Sequence, residues 1–188
     1  RGLGDVYKRQ MQYIKGLDAF DGRNQTAVTL GKFDGLHRGH QKLLNRIMKY
    51  AQKEDCDSVV CAFDMDRDCL MTNEERRAFL EDKVDYLIEI PFTREMMEME
   101  AEKFIEEILY KKLHASHIVV GTDFNFGHEK RGNHQMLEKY AAKYGYTVDV
   151  VEKAYYKDRE ISSTYIRELL LDGNVPLANE LLGYPYEI

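Results

Sequence analysis

The feature that most constrains this chain is an alternation of short apolar runs with longer stretches of helical period. After a short run at 11–14, strand-length segments recur at 26–30 (TAVTL), 58–63 (SVVCAF), 85–90 (DYLIEI), 117–121 (HIVVG) and 146–151. Between them lie helical patterns. The first, 39–53, carries Leu43, Leu44, Ile47, Met48 and Ala51 on one face. Thr72-Asn-Glu-Glu75 is a capping box opening a helix to about 81, and Pro91 stops the strand after it. Further helices are expected at 99–113, 134–144, 164–172 and 175–182. Strands alternating with helices imply right-handed crossovers, hence an α/β, Rossmann-like doubly wound, mainly parallel sheet with helices on both faces. The wholly apolar run at 58–63 suits a strand covered on both sides. Ligands of such sheets bind beyond the carboxyl ends of the strands, where the strand order switches. Loops 31–39, 64–71 and 121–133, with the polar segment 161–167, should therefore form the site.

Composition narrows the function. A chain of 188 residues suits one domain, read here as 11–188, with 1–10 (RGLGDVYKRQ) taken as a leader or sequencing scar. The net charge of −6 argues against nucleic acid as a partner, although Lys32, Arg38, Lys130, Arg131 and Arg167 could still form a local basic cluster. Three cysteines without CxxC spacing argue against a disulfide framework or a zinc site and for a reducing, cytoplasmic setting. Cys61 reads as a buried strand residue. No apolar run reaches the ~18 residues that a membrane span requires.

Chemistry concentrates in Gly31-Lys-Phe33-Asp34-Gly35-Leu-His37-Arg-Gly39-His40, where a strand turns into a helix. A helix N-terminus offers unpaired N–H groups and partial positive charge, which suits phosphate. Histidines there can donate to phosphate oxygens without a full charge, and Gly39 removes a Cβ from the approach. Ser162-Ser163-Thr164 stand at another helix N-terminus, with Arg167 one turn in, able to fork onto the same anion. Gly121-Thr122-Asp123-Phe124-Asn125-Phe126-Gly127 alternates polar and aromatic residues, and at least one phenylalanine should be core. His114, His117, His128 and His134 lack ligand spacing and read as surface or helix-end residues; no metal ligand is assigned.

The first of these stretches resembles the GxFDGxHxGH motif of the nucleotidylyltransferase superfamily, and specifically bacterial FAD synthetase (FMN adenylyltransferase). In that family the module is usually the N-terminal part of a bifunctional riboflavin kinase/FAD synthetase. The resemblance continues through 86–93 (YLIEIPFT), 104–109 (FIEEIL), 118–127 (IVVGTDFNFG), Arg131-Gly132, 161–167 (ISSTYIR) and 181–186 (LLGYPY). It implies an HxGH nucleotidylyltransferase fold and transfer of AMP from ATP to FMN, giving FAD and pyrophosphate in FAD biosynthesis. It further implies catalytic roles for His37, His40 and Arg167, and ATP contacts from Gly31, Phe33, Asp34, Gly35, Gly39, Ser162, Ser163 and Thr164. Flavin contacts would come from Asp123, Phe124, Asn125, Phe126 and Arg131, and Mg²⁺ would arrive with ATP. Two departures stand out. Asn125 and Asn133 replace the Arg and Asp of many members, and the Pro-His-Pro element expected after the 58–63 strand is missing at 63–67. Asp64 and Asp66 there read as solvated loop acids. A remodelled flap, another phosphorylated acceptor such as a pantetheine or pyridine mononucleotide, or a non-catalytic flavin-binding module are the rival expectations. With nothing after Ile188, no riboflavin kinase activity is expected of this chain, though a longer parent could carry that domain.

Overall fold

The computed structural model describes residues 10–64 and 69–187. Residues 1–9 of the expected leader, and Asp66 with its neighbours Met65 and Arg67, lie outside the described residues. The chain runs β1 (Gln12–Lys15), β2 (Thr26–Gly31), α1 (Arg38–Lys53), β3 (Asp57–Phe63), α2 (Asn73–Leu80) and β4 (Tyr86–Ile90). It continues through α3 (Arg94–Glu98), α4 (Ala101–Lys103), a π-helical stretch (Phe104–Lys112), β5 (Ala115–Gly121), α5 (His134–Tyr144) and β6 (Thr147–Val151). A hairpin of β7 (Tyr155–Tyr156) and β8 (Arg159–Glu160) precedes α6 (Ser163–Leu171) and α7 (Val175–Leu182).

The main sheet has the order β1-β4-β3-β2-β5-β6, and every pairing in it is parallel. The chain moves outward from β2 through β3 to β4, then returns across β2 to start β5 on its other side. The switch in strand order therefore falls between β2 and β5, where α1 begins, as the doubly wound reading requires.

Alternation along each strand sends side chains into two layers. Ala27, Val60, Leu87 and Val119 meet Leu44 and Ile47 of α1 and Leu80 of α2. Val28, Val59, Cys61, Ile88 and Ile118 meet Phe104, Ile105 and Leu109 of the π-helical stretch on the opposite face. Burying each of the Val, Leu, Ile and Phe side chains among them contributes roughly 1.5–3 kcal/mol. The cluster Leu70, Ile161, Ile166, Ala178, Leu181 and Leu182 seats α6 and α7 beside the end of the 64–71 loop.

Three elements differ from expectation. The helix expected at 99–113 is broken: Thr93 caps α3 by accepting from Met96 N, and Met99 turns extended. Met99 lends its carbonyl to His128 N of a distant loop, so the helix cannot run through it. Beyond the break, Phe104, Leu109 and Leu113 line up with i→i−5 bonding such as Leu113 N to Ile108 O, a π-helical pattern. The β7–β8 hairpin has too short an apolar pattern to be seen in sequence. His117 is neither a surface nor a helix-end residue: it sits within β5, stacked on Tyr50 with centroids 3.8 Å apart and paired with Glu54. Cys61 is buried as expected, its thiol pushed up to about 12 by burial.

Candidate active site

At the switch point, His37 caps α1: its Nδ1 accepts from the amides of Gly39, at 3.1 Å, and His40, at 3.4 Å. That acceptor role leaves the proton of the neutral ring on Nε2, pointing its donor away from the helix. Burial holds the His37 pKa down to about 4, so the ring is neutral near pH 7. His40 stacks on it, centroids 3.7 Å apart and planes within 18°, and burial with the adjacent His37 lowers its pKa strongly too. The buried Nδ1 of His40 has no hydrogen-bond partner among the described residues. Gly39 turns out to be required by the cap itself. A Cβ there would lie 2.9 Å from His37 Cε1, so the ring could not fold over the helix start.

Other residues of the first motif turn inward. Phe33 is a core residue, 1% exposed, its ring edge-on to His40 at 5.3 Å. Only its main chain is left to face a nucleotide. Asp34, expected as an ATP contact, accepts from the amides of Leu70 (2.7 Å) and Met71 (3.4 Å) and from Arg167 Nη1 (3.3 Å). Burial raises its pKa while those three donors oppose the rise. Gly31 lies at the end of β2 with ordinary contact distances around a notional Cβ, so crowding does not explain it. Gly35 is left-handed at φ 83° and a Cβ on it would meet Leu70 at 2.7 Å.

The second motif meets the first. Ser162 caps α6 by accepting from Tyr165 N, with Ser163 and Thr164 in the first turn. Arg167 reaches back to Thr164 Oγ1 at 3.3 Å while bridging to Asp34. The carbonyl of Ile161 lies 3.8 Å from where a Gly39 Cβ would be, so the two helix starts are neighbours.

The loop after β5 is a tight structure of its own. Phe126 and Gly132 exchange backbone hydrogen bonds, and a Cβ at Gly132 would strike the Phe126 ring at 2.7 Å. Phe126 is the core phenylalanine, against Phe104, while Phe124 is half-buried and stacked beside it. Asn125 is exposed and donates to Asp123 O; the Asp123 carboxylate binds Lys153, which also holds Glu160 of β8. Arg131, counted in the basic cluster, is engaged by Glu129 at 2.8 Å and Glu100 at 3.7 Å.

The structure adds residues that sequence reasoning missed. Arg76 is wholly buried and donates to the carbonyl of Lys32, at 2.8 Å, and of Phe63, at 3.4 Å. Tyr184 donates to Gly35 O, and Gln41 to Leu36 O. Nothing marked them: Arg76 follows a capping box on a helix whose neighbours are polar, and such an arginine usually faces water.

With this geometry in place, the relatives are informative. A curated bifunctional riboflavin kinase/FMN adenylyltransferase from Haemophilus influenzae is 35% identical over 190 residues, covering 95% of this chain and 62% of that protein. Proteins of the same name from Buchnera aphidicola (of Schizaphis graminum) and Escherichia coli K12 are 34% and 31% identical, each covering 95% of this chain and 61% of theirs. The chain thus spans about three-fifths of the length of these relatives. A crystal structure described as a macrolide-efflux protein from Streptococcus pneumoniae superposes with a TM-score of 0.81 at 29% identity, over 94% of this chain and 63% of that one. No helix among the described residues is long and apolar enough to cross a membrane. The family model of FAD synthetase matches residues 20–165. This chain belongs to the FAD synthetase family.

Proposed function

We propose that this chain is an FMN adenylyltransferase: it transfers AMP from ATP to FMN, giving FAD and pyrophosphate. The observation that carries the reading is the joining of the two phosphate-type helix starts, at His37 and Ser162, by the Arg167–Asp34 bridge at one switch point. An FMN phosphate oxygen attacks the α-phosphorus of ATP. The new P–O bond forms as the bond to the bridging oxygen breaks, and pyrophosphate leaves with the electron pair. The protein's part is positioning and charge stabilisation rather than covalent chemistry. His37 donates through Nε2–H to a phosphate oxygen as a neutral ring, with His40 stacked beside it against the same phosphates. Ser163, Thr164 and Arg167 take the β- and γ-phosphates as negative charge moves onto them. Gly31, at the end of β2, and Gly39, in the first turn of α1, present their backbone to the nucleotide, while Gly35 serves the turn by packing against Leu70. Asp123, Phe124, Asn125 and Arg131 form the flavin side, with Phe126 anchoring their loop in the core.

Mg²⁺ comes as the ATP complex. Phosphates and water would hold it, with few protein ligands. The reaction is placed in the cytoplasm; Cys56, Cys61 and Cys69 are not joined in a disulfide. The decisive experiment incubates the protein with FMN, ATP and Mg²⁺ and separates the flavins, with His40→Ala in parallel. FAD from the wild type and much less from the variant supports the reading; no FAD from either, with ATP still bound, points to a different acceptor.

A further inference from the structure

The loop that delivers His37 is strained. Phe33, Gly35 and Leu36 all have left-handed backbones, at φ 56°, 83° and 43°, and two of them carry a Cβ. Such residues persist only where the surroundings over-determine them. Here the surroundings are specific. The carbonyl before Phe33, that of Lys32, accepts from Arg76 of α2. The Gly35 carbonyl accepts from the phenol of Tyr184, just past α7. The Leu36 carbonyl accepts from Gln41 of α1, which also donates to Leu182 O at 2.7 Å and so ties the loop to α7. None of these bonds belongs to a helix or strand ladder; each falls on a carbonyl of the strained turn or of the residue leading into it.

We propose that Arg76, Tyr184 and Gln41 are positioning residues that hold the strained 33–36 turn in the shape that sets His37 and His40 for adenylyl transfer. This rests on the function proposed above. The donors suit the task. Burial pushes the Tyr184 phenol up to about 12, so it keeps its proton throughout the working range. Arg76 is fully enclosed, with Glu89 at 3.7 Å balancing its charge and Tyr13 in turn donating to Glu89. The turn is thus fastened at three carbonyls, from α2, from α1 and from the segment after α7.

Because Arg76 is buried beside Glu89, the test uses Tyr184→Phe and Gln41→Met, which keep the packing and remove only the donor. Each is made alone and with His40→Ala, and kcat, KM for ATP, melting temperature and hydrogen exchange of the 31–40 segment are measured. We expect kcat to fall about tenfold, more than KM rises, since a displaced catalytic group costs turnover. In the His40→Ala background the same substitutions should cost little, because residues acting through one unit are not additive. Exchange across 31–40 should quicken in both single variants. Equal fold-losses in the two backgrounds, or unchanged exchange, would overturn the proposal. If the wild type makes no FAD, the functional reading fails, and the exchange measurement on the same proteins still decides whether the turn is held this way.

Discussion

The guanidinium of Arg167 lies 3.3 Å from the carboxylate of Asp34, across 133 residues of sequence. This single bridge ties the turn after β2 to α6, while the same carboxylate accepts from the amides of Leu70 and Met71. Asp34 is therefore a junction of three segments rather than a free nucleotide ligand.

The bridge predicts coupling. On the proposed function, Asp34→Asn and Arg167→Lys should each lower kcat/KM by roughly ten- to a hundredfold, because each shifts groups that would hold the same phosphates. The double variant should lose less than the product of the two, with a coupling of about 1 kcal/mol in a double-mutant cycle. Full additivity would show that the two residues act separately.

Acid should weaken the fold through the histidine pair. The His37 pKa falls from 6.5 to about 4 on folding, so the unfolded chain binds its proton more readily. Stability is then complete above about pH 6.5 and declines as pH falls towards 4, by up to about 3 kcal/mol from His37. His40 is shifted in the same direction and adds to the loss. Asp34 is raised instead, so its contribution appears at the acid end and opposes them. Urea unfolding from about pH 7 to about pH 4.5 should show the decline in the wild type. His37→Asn, which keeps a capping acceptor, should flatten it.

Gly39→Ala separates stability from function. Alanine favours a helix over glycine by about 1 kcal/mol, and disturbing the cap costs about the same. The melting temperature should therefore move little. The new Cβ would lie 2.9 Å from His37 Cε1, so the ring must swing aside and FAD formation should fall at least tenfold. Unchanged activity would mean that the ring position does not matter.

Gly127→Ala tests the loop after β5. This glycine is left-handed at φ 78°, and a Cβ would stand 2.7 Å from the main chain of Ala101. Backbone cannot yield as a flexible side chain does, so a loss of about 2 kcal/mol or more is expected in thermal or urea unfolding. KM for FMN should rise with it if the loop serves the flavin.

Much of the fold was legible along the chain because local order depends on near neighbours. The apolar runs at 26–30 and 58–63 became β2 and β3 within a residue or so at their ends, and the Thr72–Glu75 capping box formed as read. The two site motifs were likewise visible, since a helix start, its cap and the residue one turn inside are set by spacing alone. Arg76 was illegible: its helix pattern suits an exposed arginine, and only the carbonyls of Lys32 and Phe63 explain its burial.

Sequence by itself therefore determined the order of strands and helices, the caps, and the identity of the histidine and serine–arginine motifs, through interactions spanning a few residues. The tertiary structure alone decided that Asp34 faces Arg167, that Met99 breaks a helix for His128, that His117 stacks on Tyr50, and that Tyr184 reaches Gly35. Each of those joins residues distant in the chain. Which of them meet depends on where each strand lies in the sheet, and a pattern of local periods carries no record of that spatial order.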